Sequence, residues 1–466
     1  MLELLPILMF VCICACLMLG YPVAFTLAGV SLLFAGVGIL LGIFHVGSLL
    51  SYVENVYGIM TNTALIAIPL FIFMGVTLER TKIAENLLSH LSYVCARLPA
   101  GMGVSVVLVG ALMAASTGIV GATVVTMGLM SLPAMLKQKY HPALACGTIC
   151  ATGTLGQIIP PSIALVLLGD VLSSAYQQSQ LKLGIFNATP VSVGDLFVGA
   201  IIPGVILVVM YCLYLLAVGV FKPELAPRHN SDSDSDSDSE DNNSKQTPTT
   251  LGLVLSIAPP LLLMVMVLGS IIVGIATPTE ASAVGAFAAL ILAGIKRKTS
   301  FTMLFETCKN TAGITSMIFA ILLGSALFSL VFKLLGGDIL IIGFFETLPG
   351  GTTMAILVVM IAIFLLGFIL DFIEITFVVV PIVAPALLLL GVDPIWLGIM
   401  IALNLQTSFL TPPFGFALFY LRRVAPPEVP TSAIYKGVGV FIVLQLLLMV
   451  GLAIWPAIVT WLPSRL

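Results

Sequence analysis

Paired prolines interrupt two apolar stretches of the sequence, Thr152-Gly153-Thr154-Leu155-Gly156-Gln157-Ile158-Ile159-Pro160-Pro161-Ser162 and Asn404-Leu405-Gln406-Thr407-Ser408-Phe409-Leu410-Thr411-Pro412-Pro413. Consecutive prolines remove two amide donors and disfavour helix just before them, so each stretch predicts a broken helix with free backbone carbonyls. Hydroxyl and amide side chains beside those carbonyls favour an oxygen-rich site for a hard cation such as Na⁺. A helix that begins after the prolines would direct its positive end at an anion. The alternative is a plain proline kink satisfied by serine and threonine.

The chain around these breaks has the composition of a membrane protein. Of its 466 residues, 60% are hydrophobic and 8% are charged, against about 25% charged in soluble domains. Apolar stretches near the roughly 20 residues that cross a bilayer run from Leu4–Tyr21 and Val23–Phe44 to Val438–Leu462. Glu3 stands where a cleaved secretory signal would carry positive charge, so the first stretch is expected to be a retained span. These features predict an all-α polytopic membrane protein.

The sequence also contains an internal duplication. A shift of 252 positions superposes four prolines of each half, and the pairs are Pro133/Pro385, Pro142/Pro394, Pro160/Pro412 and Pro161/Pro413. A serine–aspartate tract, Asn230–Ser244, separates the halves, and its high charge without apolar residues is typical of a disordered linker. The predicted units are a first repeat (1–222), an acidic cytoplasmic linker (223–250) and a second repeat (251–466).

The distribution of lysine and arginine predicts an inverted topology, because basic residues in short loops mark the cytoplasmic side. Arg97 and Lys137 flank the apolar stretch 102–136, which must therefore leave and return to the inner face as a re-entrant hairpin. The equivalent stretch, 352–390, is flanked by Glu346 and Asp393 and is expected to start from the outside. Each half then has about five transmembrane helices and one hairpin. Since five is odd, the second half is inverted relative to the first, an arrangement typical of secondary transporters.

The remaining residues argue against an enzyme. No Gly-x-x-x-x-Gly-Lys-Ser/Thr loop for a nucleotide is present, and neither a Ser–His pair nor a metal-spaced His cluster appears, so we assign no catalytic residue. Asp371 and Glu374 fall in the outer hairpin, where intramembrane carboxylates are functional candidates. A water-exposed or hydrogen-bonded helix cap explains this pair equally well. Asp170 and Lys182 are expected in solvated loops.

Three motifs resemble a known family: Gly274-Ile-Ala-Thr-Pro-Thr-Glu280-Ala-Ser-Ala, Gly156-Gln-Ile-Ile-Pro-Pro-Ser162 and Thr411-Pro-Pro-Phe-Gly415. Over essentially the whole chain outside the linker, the sequence is similar to the large membrane subunit of tripartite ATP-independent periplasmic (TRAP) transporters. The resemblance implies an ion-transporter-type elevator fold in which a mobile domain carries both hairpins. It also implies import of a small organic acid across the bacterial inner membrane, with Na⁺ as the coupling ion and no cofactor.

The same resemblance implies two protein partners, a small four-helix membrane subunit and a periplasmic substrate-binding protein, and no nucleic acid. The alternatives are a stand-alone Na⁺/dicarboxylate-type symporter and a passive channel. Either would work without the two partners.

Together, the repeat and the resemblance predict two Na⁺ sites, each between a hairpin tip and a break. The candidate sodium ligands are Ser116, Thr117, Gly118, Thr152, Gly153, Thr154 and Gly156 at the inner tip, and Asp371, Glu374, Thr376, Asn404, Gln406, Thr407 and Ser408 at the outer tip. The candidate substrate-binding residues are Gln157, Pro160, Pro161, Ser162, Thr411, Pro412 and Pro413.

Overall fold

A computed structural model describes residues 4–81, 83–227 and 250–465. Most of the predicted acidic linker, 228–249, lies outside the described residues, as do the side chains of Ser116 and Thr117. Within the described ranges the protein consists of helices and loops, without strands. The α-helices are α1 (Leu5–Met18), α2 (Val23–Leu40), α3 (Ser51–Thr61), α4 (Ala67–Arg80), α5 (Ile83–Cys95), α6 (Gly101–Thr117), α7 (Val120–Lys137), α8 (Pro142–Thr154), α9 (Ile163–Lys182), α10 (Val193–Phe221), α11 (Thr250–Ile272), α12 (Pro278–Ile295), α13 (Phe301–Leu334), α14 (Gly337–Thr347), α15 (Gly351–Leu366), α16 (Phe372–Glu374), α17 (Val380–Leu389), α18 (Pro394–Leu410), α19 (Phe416–Val424), α20 (Thr431–Ile454) and α21 (Ala457–Thr460).

The helices have the length and surface of a polytopic membrane protein. Among the described residues, eight helical segments of at least 18 residues are apolar enough to cross a bilayer, and five shorter apolar helices accompany them. Large apolar side chains such as Phe25, Leu33 and Phe287 point outward and are exposed. A surface of this kind is stable against lipid, where helices satisfy their own backbone polar groups. The prediction of an all-α polytopic membrane protein is confirmed.

Equivalent elements of the two halves pack in equivalent pairs. Helices outside the hairpins pair between the two halves: α2 packs along α13, and α12 packs along α4. The second arm of each hairpin packs on the helix that follows the proline break of the other half: α7 on α19, and α17 on α9. The first arms pack on the helix before the break of their own half, α6 on α8 and α15 on α18. This exchange brings both hairpins and both breaks to the centre of the molecule.

The two hairpins differ in how they turn. In the inner hairpin, α6 ends at Thr117 and Gly118 turns the chain with a φ of +61°, a conformation that glycine adopts without strain. In the outer hairpin, the turn at 367–371 is followed by the short helix α16 and a π-helical segment, Ile375–Val379, before α17. The hairpins therefore cover 101–137 and 351–389. Their insertion from opposite faces of the bilayer stays a prediction.

The helix α9 includes Asp170 and Lys182. It runs for 20 residues without a proline and ends before Gly184, which turns with a φ of +77°. The expectation that Asp170 and Lys182 lie in loops is therefore wrong, although Lys182, the last residue of the helix, is exposed. The carboxylate of Asp170 instead accepts a hydrogen bond of 2.7 Å from Asn62 Nδ2, in the turn before α4.

Candidate functional site

A central cavity of about 200 Å³ lies where both hairpin tips and both breaks meet. Gly118 comes from the inner tip, Gln157 from the first break and Asp371 from the outer tip. Phe409 and Tyr420 come from the two sides of the second break. Residues separated by up to 302 positions along the chain thus line one cavity, as expected for a ligand site at the interface of two repeats.

At the first break, a side chain of the same segment donates hydrogen bonds to two of the backbone carbonyls. A 3₁₀ segment, Leu155–Gln157, follows α8, and the Ser162 hydroxyl donates to the carbonyl oxygens of Gly156 at 2.8 Å and Gln157 at 3.2 Å. Ser162 thus satisfies backbone carbonyls, as expected for a plain proline kink. The side chain of Gln157 is 2% exposed, lines the central cavity, and its Oε1 has no hydrogen-bond partner in the described structure. A buried unpaired amide oxygen is costly, which makes Gln157 the candidate side chain for pairing with a ligand in this cavity.

The inner hairpin tip packs closely against this break. A Cβ on Gly156 would lie 3.2 Å from the carbonyl oxygen of Ala114, and a Cβ on Gly118 would lie 3.1 Å from the amide nitrogen of Ile163. A Cβ at either position would be crowded, so glycine favours this close approach of the tip to the break.

The two threonines before the first break are buried, and their hydroxyl oxygens can still accept a hydrogen bond or coordinate a cation. Thr152 donates its hydroxyl proton to the Thr148 carbonyl at 2.6 Å, and Thr154 donates to the Ala151 carbonyl at 2.8 Å. A hydroxyl that donates to a helix carbonyl still has lone pairs for a cation. However, Gly153, which stands between them, packs on Val124 of α7, because successive helical residues point in different directions.

The outer hairpin contacts the helix before the second break through Asn404 and Ser408. The amide of Asn404 donates to the Met360 carbonyl in α15 at 2.7 Å. Gly367, at the end of α15, packs directly on the Ser408 side chain. Thr407 and Ser408 donate their hydroxyl protons to carbonyls of α18, and Thr411 does the same to the carbonyl of Thr407. The structure therefore places Asn404 and Ser408 against the outer hairpin.

Gln406 is directed elsewhere. It is fully buried beside the hydroxyl of Tyr211 in α10. Positions 404 and 406 are about 200° apart around a helix, so they cannot both face α15. Gln406 and Asn404 are thus not brought into one site.

Asp371 and Glu374 form a capping box. Asp371 Oδ1 accepts from the amide of Phe372 at 2.7 Å, and Glu374 Oε2 accepts from the amide of Asp371 at 3.1 Å. The hydrogen-bonded cap is therefore present, although Asp371 also lines the central cavity. Two residues on, the hydroxyl of Thr376 is buried without a hydrogen-bond partner in the described structure. It lies in the π-helical segment, where Ser325 donates to the carbonyl of Phe377.

Of the seven substrate candidates, all within the described part of the chain, Gln157 lines the central cavity. Pro160 instead lines a separate apolar cavity of about 290 Å³ between α6, α10 and α11. Neither cavity is lined by Pro161, Ser162, Thr411, Pro412 or Pro413.

Sequence reasoning missed Tyr420, Phe409 and the α13 residues Ile314, Met317 and Ile318, which complete the cavity wall. In an apolar chain nothing distinguishes such residues from packing. A glycine in the inner hairpin, Gly121, leaves room for the ring of Tyr420, since a Cβ there would lie 2.9 Å from the ring. The sequence shows this glycine but not its partner.

The family described as "Tripartite ATP-independent periplasmic transporter, DctM component" matches residues 10–458 of the chain. The C4-dicarboxylate TRAP transporter large permease protein of Pseudomonas aeruginosa is 28% identical, with 86% of each chain covered. The sialic acid TRAP transporter large permease protein of Vibrio cholerae is 25% identical, covering 96% of this chain and 95% of that one. The ectoine TRAP transporter large permease protein of Halomonas elongata is 26% identical, with 96% of each chain covered.

Two solved structures share the fold. The Alcanivorax borkumensis YdaH transporter aligns with a TM-score of 0.58 at 15% identity, with 87% of each chain covered. The Neisseria gonorrhoeae MtrF structure aligns with a TM-score of 0.59 at 15% identity, covering 87% of this chain and 83% of that one.

Proposed function

Because the chain belongs to the family of DctM components of tripartite ATP-independent periplasmic transporters, we propose that it is a large permease subunit that imports a small organic acid with Na⁺. The central cavity carries this proposal, since both hairpin tips and both breaks converge on it. Its volume of about 200 Å³ suits a small solute. Relatives are named for C4-dicarboxylates, sialic acid and ectoine, each of which bears an acid group.

Asp371 supports coupling between a cation and the acid. Its carboxylate lines the central cavity, where a negative charge repels an anionic solute unless a cation compensates it. A Na⁺ ion bound near the outer tip would therefore raise the affinity for an acid, and by linkage the acid would raise the affinity for Na⁺. The two Na⁺ sites keep their proposed positions, the inner tip with Thr152–Gly156 and the outer tip with Thr376, Asn404, Thr407 and Ser408.

In this proposal the two hairpins and their breaks move as an elevator domain between inverted repeats of the inner membrane. A small membrane subunit with four helices and a periplasmic binding protein complete the transporter. The binding protein delivers the acid from outside.

Reconstitution tests the proposal. The binding protein is first screened by thermal shift against a panel of small organic acids, and the radiolabelled acid that binds is used for uptake into proteoliposomes. Uptake should require both partners and an inward Na⁺ gradient. Uptake without the partners would show a stand-alone symporter, and flux without any gradient would show a channel. Equal uptake when K⁺ replaces Na⁺ would contradict Na⁺ coupling.

A further inference from the structure

Three cavities lie end to end between α9 and α13. The central cavity is lined by Leu167 and Ile318, a second of about 150 Å³ by Ser174 and Ser325, and a third of about 280 Å³ by Lys182. The second and third share wall residues, namely Gln178, Ser329, Lys333, Pro381 and Pro385. The second and third cavities thus form one groove, the outer groove, which follows α9 and α13 to the ends of these helices. The central cavity begins about one helical turn further along both helices, at Leu167 and Ile318.

Polar residues follow both walls of the outer groove at helical spacing. They occur at every fourth position, as Asp170, Ser174, Gln178 and Lys182 on α9 and as Ser325, Ser329 and Lys333 on α13. Residues four apart share one helix face, and most of these residues line the second or third cavity. In a chain with 8% charged residues, polar stripes over about 18 Å of α9 and about 12 Å of α13 indicate a path for water and solutes.

The end of the outer groove is electropositive. Lys333 Nζ donates to the neutral amide oxygen of Gln178 at 2.9 Å, and Lys182 forms an ion pair with Asp338 at 3.6 Å. At this end, two ammonium groups and one carboxylate leave a net charge of +1, while the carboxylate of Asp170 lies deeper, in the second cavity, bonded to Asn62. Lysine binds carboxylates as a mobile point charge, without the fixed geometry of arginine. Such a group suits transient capture better than tight recognition.

We propose that Lys333, Lys182 and Gln178 form an outer anion site, which captures the carboxylate of the solute at the mouth of the groove before it reaches the central cavity. The inference rests on the proposed function for its substrate class, and on the predicted topology, which puts the ends of α9 and α13 outside. On capture, the Lys333 ammonium exchanges its hydrogen bond to Gln178 for one to the carboxylate.

The test measures the charge of the groove without needing the natural solute. Ser329→Cys introduces a thiol in the groove, and right-side-out vesicles are treated with an anionic sulfonatoethyl or a cationic trimethylammonioethyl methanethiosulfonate. Peptide mass spectrometry reads modification at residue 329, so the eight native cysteines need not be replaced. Ser464→Cys, at an exposed position near the carboxyl end, is the matched control.

We expect the anionic reagent to react faster at residue 329. Adding Lys333→Gln should lower the anion-to-cation rate ratio by about three- to tenfold, as expected for one charge at about 6 Å in a partly screened site. Lys333→Arg should preserve the ratio, and the ratio at residue 464 should not respond to either change. Modification at 329 should also block uptake, whereas modification at 464 should not.

If Lys333→Gln leaves the anion-to-cation rate ratio at residue 329 unchanged, the outer anion site is refuted, because a purely structural Lys333–Gln178 contact predicts that result. Failure of both reagents to reach residue 329 would overturn the outer groove as a path. Na⁺-dependent uptake by unmodified Ser329→Cys is measured in the same vesicles. If this uptake persists while the rate ratio does not respond to Lys333→Gln, the outer anion site is refuted and the proposed function is retained.

Discussion

The side-chain amide of Asn404 donates a hydrogen bond of 2.7 Å to the backbone carbonyl of Met360, and so ties α18 to the outer hairpin. Asn404 is 1% exposed, so water cannot replace this bond. Asn404→Ala should cost about 1–3 kcal/mol and loosen the hairpin. Hydrogen exchange of 351–389 should rise, and the thermal midpoint in detergent should fall. Asn310→Ala, at an exposed position of α13, is the control and should change neither quantity.

Substitution of Thr376 tests whether its buried hydroxyl belongs to an ion site or is only a packing defect. Its hydroxyl is buried and unpartnered in the described structure, which costs stability unless a ligand pairs with it. Thr376→Val should therefore raise the thermal midpoint in Na⁺-free buffer and reduce the further rise that Na⁺ causes in wild type. Ser131→Ala removes another buried unpartnered hydroxyl and should leave the Na⁺-induced rise intact. A full Na⁺ response in Thr376→Val would remove this residue from the site.

Thr154 and Thr407 test the hydroxyls beside the two breaks. Each is buried and donates its proton to a helix carbonyl, so its lone pairs remain for Na⁺. Thr154→Val and Thr407→Val should each shift the Na⁺ dependence of uptake severalfold towards higher concentration, with expression unchanged. Thr148→Val loses the same kind of bond, to the Leu144 carbonyl, away from the break, and should not shift it. If all three variants respond alike, the hydroxyls act through packing.

Much of this fold follows from sequence pattern, because proline, glycine and charge act locally. The offset that superposes Pro160 on Pro412 located both breaks and, through them, the meeting point of the halves. The direction of individual side chains was not predictable in the same way. Asn404 and Gln406 look equivalent in sequence, yet helix rotation sends one to α15 and the other to Tyr211. The polar stripe from Asp170 to Lys182 was also missed, because its residues were expected in loops.

The inverted topology predicts the side on which four loop positions are labelled. Cysteines placed at Lys137 and Arg297 should react with an impermeant maleimide only when it is applied from the cytoplasm. Cysteines at Glu346 and Asp393 should react only from outside. Cys308, the exposed native cysteine, is replaced by serine beforehand to remove background. Labelling of positions 137 and 346 from the same side would refute the inversion.

Gln157 offers the most direct test of the central cavity. Gln157 lines the cavity, and its Oε1 is buried without a hydrogen-bond partner in the described structure, so we expect that a small rotation of the side chain lets a bound solute supply the missing donor. Gln157→Leu keeps the volume and removes this acceptor. It should raise the KM for uptake about tenfold, as expected for the loss of about 1.4 kcal/mol of hydrogen bonding, while the Na⁺-induced rise in thermal midpoint persists. Gln445→Leu replaces a glutamine that is also buried with an unpartnered Oε1, but whose amide nitrogen donates to the Tyr211 hydroxyl and which does not line the central cavity. It should lower stability without changing KM. A wild-type KM in Gln157→Leu would show that the solute binds elsewhere.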